Sequence, residues 1–156
     1  MLKADSAKTK LALNKRWILG SLLIIVAVFA LLAPSLFYQP STAKLAVGNR
    51  EISLEIASSD AARQKGLGGR DTLSKDKGML FVFAQPAKQC FWMKDMRFSL
   101  DMVFLDAQKR VVSIYPDISP RTYPNNFCAD NAQYVIEMTA GQAAALGLRA
   151  GQSLSF

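Results

Sequence analysis

The chain has no histidine. Without an imidazole, a Ser-His-Asp or Cys-His nucleophilic arrangement is excluded, and so are the commonest zinc sites, which removes most exported hydrolases. Cysteine is limited to Cys90 and Cys128, and there is no internal repeat or low-complexity stretch. The one glycine-rich segment, Gly66-Leu67-Gly68-Gly69, lacks the Lys-Ser/Thr of a phosphate loop and the strand-to-helix context of a dinucleotide fingerprint, and reads as turn chemistry. Acidic residues are outnumbered, 12 Asp and Glu against 19 Lys and Arg, for a formal net charge of +7.

That charge is unevenly placed. Residues 1–16 carry five basic and one acidic residue, and residues 38–156 carry fourteen basic and eleven acidic. Between them Trp17 to Phe37 runs without a charge, and about 20 apolar residues suffice to cross the hydrocarbon layer as a helix. The positive-inside bias then keeps the basic tail at 1–16 in the cytoplasm, with 17–37 as a signal-anchor in contact with lipid. Trp17 and Phe37-Tyr38 suit the two interfaces. A cleaved signal peptide is the alternative. Its hydrophobic region would be unusually long, and Ser41-Thr42-Ala43, the better small-residue site, lies well past the apolar run, so an uncleaved anchor is favoured. Either topology places the rest of the chain on the periplasmic side of the inner membrane. Nucleic acid is not an expected partner, because the excess charge flanks the membrane segment rather than marking a folded surface.

Residues 38–43, with Pro40, read as a short tether, and 44–156 as one exported domain. In an oxidising compartment Cys90 and Cys128 are expected to be bridged, the competing reading being two independent, partly buried thiols. Leu45 and Val47, then Ile52, Leu54 and Ile56, alternate with small or polar residues around Gly48-Asn49, which predicts a β-hairpin. Ser59 or Asp60 can cap a short helix at 61–65, with Gly66 as its left-handed stop. Apolar runs at Met79–Phe83, Phe91–Met93, Leu100–Leu105, Val111–Tyr115 and Tyr134–Met138 read as strands. Thr139 is placed to cap a second helix over 140–146, before a last strand at Leu154–Phe156. Many short strands with two short helices predict a compact β-sandwich, jelly-roll-like or barrel domain.

The order Arg63-x-x-Gly66-Leu67-x-Gly69-Arg70, Gly78-Met79-Leu80-Phe81-Val82-Phe83, Phe91-Trp92-Met93-Lys94, Leu100-Asp101-x-x-Phe104-Leu105-Asp106 and Tyr134-Val135-Ile136-Glu137 resembles the domain of unknown function 192 family over nearly all of 44–156. The resemblance implies a mostly β domain of sandwich or jelly-roll type, in some members behind a signal or membrane segment. It implies no reaction. Asp95 and Met96 depart from the family's usual Asn-Thr after Phe-Trp-Met-Lys, so no family contact is carried over to those two positions.

Asp101 and Glu137 each interrupt an apolar strand, where a charge needs a partner to be buried. Arg70 and Lys94 are the natural partners. If instead these four converge with Trp92, the set suits a small polar ligand or a sugar, with Arg70 gripping an anionic group and the indole stacking on an apolar ring face. Asp101 with Glu137 would also make the carboxylate pair of a glycosidase-like enzyme. Met79, Met93, Met96 and Met102 with the two cysteines prompt a copper(I) site, but methionines inside hydrophobic strands are better explained as core filling, and no metal or cofactor is expected. The favoured reading is a small-ligand or sugar-binding accessory module of the cell envelope rather than an enzyme, and a structural partner in an envelope complex is the remaining alternative.

Overall fold

A computed structural model describes residues 41–156. The basic tail, the expected membrane anchor and the start of the tether lie outside the described residues. Among those described, no helix is long and apolar enough to cross a membrane.

The chain opens with the expected hairpin, β1 (Thr42–Val47) and β2 (Arg50–Ala57), which pair from Val47↔Arg50 to Thr42↔Glu55 around Gly48-Asn49. Gly48 takes φ +58, as a tight two-residue turn requires. The end of the tether is therefore absorbed into β1. Ile52 and Leu54 point into the core while Glu51 and Ser53 face out. The helix α1 (Asp60–Lys65) is capped by Ser59, whose hydroxyl accepts from the Ala62 N–H, and it stops at Gly66 with φ +49.

The chain returns as β3 (Lys77–Phe91), parallel to β2, and its other edge pairs antiparallel with β6 (Phe127–Thr139). At Gly78 the neighbouring strands leave no room for a side chain. A Cβ there would stand 2.8 Å from both the Glu137 carbonyl oxygen and a Leu54 methyl. β4 (Leu100–Leu105) pairs with β6 on one side and β5 (Val111–Ile118) on the other, giving one six-stranded mixed sheet in the order β1-β2-β3-β6-β4-β5. A second helix, α2 (Gln142–Ala145), has Gly141 at its N-cap rather than Thr139, which belongs to β6 and donates its hydroxyl to the Leu73 carbonyl.

The β3–β6 ribbon bends back on itself. Phe81 and Phe91 lie in one strand, and ten residues of straight strand span about 33 Å. Their ring centroids are nevertheless 4.8 Å apart. The bend falls where the register shifts, between Val82 and Ala87 and between Ala87 and Gln89, at Pro86 on β3 and opposite Asn131, with φ +55, on β6. Past the bend Cys90 faces Cys128 across the ladder and is joined to it by a disulfide.

Both faces of the sheet are therefore covered, by different means. On one face Leu54, Leu80, Val103, Leu105, Ile136 and Met138 pack with Leu146, Leu148 and Leu154 from α2 and the C-terminal segment. On the other, Met79, Phe81, Met102, Phe104 and Val135 pack under Leu67, Met93 and the returning ribbon. The expected sandwich or jelly roll is not formed, because the run at Phe91–Met93 is not an independent strand: Phe91 ends β3, and the second layer is that ribbon with α1. Nor is the sheet a closed barrel. The edges β1 and β5 are spanned by isolated bridges from Ser155 to Ala46 and from Ser153 to Arg110, so the expected last strand is an irregular strap.

Replacing Cys90 and Cys128 by serine should lower the unfolding free energy by about 4 kcal/mol, the loop-closure value for this separation. Urea denaturation of the oxidised chain reads it; an unchanged midpoint would mean that core contacts alone hold the ribbon.

Candidate functional site

The register of β4 on β6 separates the two acids. Asp101 is opposite Met138, and Met102 is opposite Glu137, with no shift between. Paired residues share a face and neighbours alternate, so Asp101 and Glu137 point to opposite sides of the sheet.

Asp101 is fully buried and satisfied by backbone. Its Oδ1 accepts from the Asp117 N–H at 2.8 Å and the Gly141 N–H at 3.1 Å, and its Oδ2 from the Ala143 N–H at 2.8 Å. The carboxylate ties β4 to the end of β5 and to the start of α2. Arg70 is likewise committed, forming a bidentate pair with Glu55 at 2.7 Å for each contact. That pairing holds Glu55 below the usual carboxylate range and raises Arg70. Neither the ion pairs expected for Asp101 and Glu137 nor a glycosidase-like pair of carboxylates is present. Asp101 and Arg70 are framework.

Glu137 is the opposite case. It is 4% exposed, between Met79 and Met102 on the adjacent strands, and no described residue hydrogen-bonds or ion-pairs with its carboxyl. Burial alone pushes its pKa to about 8, so it is largely protonated at neutral pH. It lies at the floor of an open cavity of about 200 Å³ between α1 with its following loop and the returning ribbon. Phe81, Phe83, Phe91 and Trp92 line the walls, and Lys65 and Lys94 stand with Arg63 at the rim. Trp92 is 52% exposed, a large apolar surface left open to water.

Local structure explains how these groups meet. The Gly69 N–H donates to the Asp95 carbonyl at 2.9 Å, stitching the loop after α1 to the loop after β3. A Cβ on Gly68 would lie 3.0 Å from the Lys65 carbonyl and 3.6 Å from that of Lys94, so the glycine lets the two lysine-bearing segments approach. Arg63 is held by Asp60, by the Ser58 carbonyl and by the Val82 carbonyl at 2.8 Å, with its guanidinium 5.1 Å from the Phe83 centroid. Lys65 and Lys94 form no ion pair among the described residues. Beyond the rim the cavity widens into a groove of about 860 Å³ that shares Lys65, Trp92 and Lys94 and adds Asp95 and Arg97, the latter paired with Asp71.

Of the five residues singled out from sequence, Trp92, Lys94 and Glu137 therefore meet, while Arg70 and Asp101 do not join them. Lys65 and the phenylalanines were not singled out. Lys65 immediately precedes the glycine loop, and Phe81 and Phe83 alternate in one strand, which is the available local signal. Met79, Met93 and Met102 are buried among apolar side chains as core, and Cys90 and Cys128 are joined in a disulfide.

Two outcomes follow for the two acids. Asp101→Ala leaves buried N–H donors without an acceptor and should cost about 3 kcal/mol or more of stability by denaturant titration, whereas a loss below 1 kcal/mol would contradict its structural role. Glu137 binds a proton more tightly folded than unfolded. Its contribution is thus fully present below the ordinary pKa of 4.5 and lost as pH rises through about 8. The wild-type chain should lose on the order of 3 kcal/mol between pH 5 and 8 relative to Glu137→Gln. Parallel stability curves for the two proteins would refute this.

Residues 43–156 match the family model DUF192, Uncharacterized ACR. The fold is similar to the crystal structure of a candidate transcription regulator from Sinorhizobium meliloti 1021, at 26% identity and a TM-score of 0.68, covering 76% of this chain and 97% of that one. It is similar, also at 26% identity, to a protein of unknown function from Novosphingobium aromaticivorans DSM 12444, with a TM-score of 0.69 over 77% of this chain and 94% of that one. No curated protein matches the chain.

Proposed function

We propose, for a chain that belongs to the domain of unknown function 192 family, that its domain is a small-ligand-binding module of the cell envelope. The ligand's apolar body would lie against Phe81, Phe83 and Phe91, with a flat face on Trp92 and an anionic group at Lys65 and Lys94. Glu137 carries the proposal. A buried carboxyl with no hydrogen-bond or ion-pair partner among the described residues lowers stability, and such a group at the floor of an aromatic-walled opening is the arrangement expected where a ligand supplies the partner.

The uncharged run at 17–37 with its basic flank supports a membrane anchor, and the Cys90–Cys128 bond supports an oxidising compartment for the domain. Transcription regulation, the role offered for the Sinorhizobium protein, finds little support here: the two described helices have six and four residues, short for a groove-reading helix. Glu137 is the one carboxyl lining the cavity among the described residues, which favours binding over acid–base chemistry with a paired carboxylate.

A thermal-shift screen of the full chain in detergent micelles, against sugars, cell-wall fragments, amino acids and nucleotides, tests the proposal. A ligand at about 100-fold its Kd should add ~2.7 kcal/mol, a shift of several degrees. The shift should be lost in folded Trp92→Ala and Lys94→Ala. A hit that persists in both variants places binding elsewhere, and silence across the library counts against a binding module.

A further inference from the structure

Resting on the reading of this cavity as a binding site, we infer that its ligand is a zwitterion: an ammonium group seated on Glu137 beneath the aromatic walls, joined by a short apolar stretch to an anion held at Lys65 and Lys94. The floor and the rim have opposite requirements, and they belong to one opening.

At the floor, the groups surrounding Glu137 are aromatic or apolar. Met79 and Met102 flank it within the sheet, and Phe81, Phe83 and Phe91 line the space above. Aromatic faces attract cations, and a carboxylate attracts them further, so an ammonium is the one common polar group that gains from every surface there. The cavity wall already shows such a contact, in the Arg63 guanidinium over the Phe83 ring. Arg63 is itself occupied by Asp60 and by carbonyls and does not neutralise Glu137.

At the rim the requirement is reversed. Lys65 on α1 and Lys94 after β3 are cations without ion-pair partners among the described residues, and they would repel a ligand that carried positive charge alone. A ligand that carried only an anion would satisfy the lysines and leave Glu137 unpartnered. The charged groups that face Glu137 across the cavity are Arg63, Lys65 and Lys94, and Cys90 in its disulfide does not titrate.

Seating the ammonium ionises Glu137. The carboxyl O–H bond breaks, the proton leaves to solvent through the open mouth, and the ligand keeps all its N–H protons, one of them in a new hydrogen bond to the carboxylate. Well below the empty carboxyl's pKa one proton is released per ligand bound, and above it, where the carboxyl is already ionised, none is. Because burial holds the empty carboxyl's pKa near 8, apparent affinity rises about tenfold per pH unit up to that value and then levels.

Two sources offer this chemistry, free amino acids and aminoalkyl phosphate headgroups. Isothermal titration of the full chain in micelles, from pH 6 to 9, separates them with two probe pairs: β-alanine against propionate, and glycerophosphoethanolamine against glycerophosphoglycerol. In at least one pair the amine-bearing probe should bind at least tenfold more tightly than its amine-free counterpart, with the rising pH profile. The pair that responds identifies the source. Glu137→Gln, which keeps the neutral form's shape and hydrogen-bonding capacity, should lose at least tenfold in affinity and flatten the profile. An amine-free probe that binds equally well, or a wild-type affinity that falls with pH, would mean that a neutral Glu137 donates to an acceptor. The ammonium inference then fails and the binding site stands. If none of the four probes binds, the inference is also overturned, and the cavity reading falls with it only if the broader thermal screen is silent too.

Discussion

The pairing of β4 with β6 is the constraint on which the rest of the molecule depends. All six residues of β4 are buried, and Ile136, Glu137 and Met138 beside them are buried as well, so any polar side chain in this pair must be satisfied by what it meets on its own face. Asp101 meets the end of β5 and the start of α2, whose N–H groups aim at it, and there a carboxylate organises two connections at once. One face over, Glu137 meets two methionines and an aromatic-lined opening. The same residue class thus becomes a structural anchor or a carboxyl facing an open cavity according to a single step of strand alternation.

Much of the local structure is legible in the sequence because its causes are local. Gly48-Asn49 sets the first hairpin, Ser59 and Gly66 bound α1, and the apolar run at Leu100–Leu105 coincides with β4. The misreadings share a cause: Pro86 and the polar residues around it look like a strand terminator, whereas β3 continues through them with shifted register and doubles back. Once that continuation is missed, one bent ribbon reads as separate strands and the domain reads as a sandwich.

The site was half legible for the same reason. Trp92, Lys94 and Glu137 stand out as residues at odds with their surroundings, and that signal survives without a structure. Partner choice does not. Arg70 finds Glu55 because β2 and β3 are parallel and α1 with its loop crosses between them, and Asp101 finds backbone N–H groups that carry no sequence signature at all. Lys65 becomes significant only because Gly68 lets its segment lie against that of Lys94.

The doubled ribbon also decides what kind of object the opening is. Its floor comes from the last strand, its inner wall from the first half of β3, and its outer wall from residues past the bend, which cross back over the sheet as two strands joined to each other by one covalent link. No contiguous peptide of this chain contains it, so a fragment or a grafted loop would not reproduce it. Lifting the far half of the ribbon would erase the opening and, in the same movement, bare the apolar face formed by Met79, Phe81, Phe104 and Val135, so the opening exists only while that side of the core is closed.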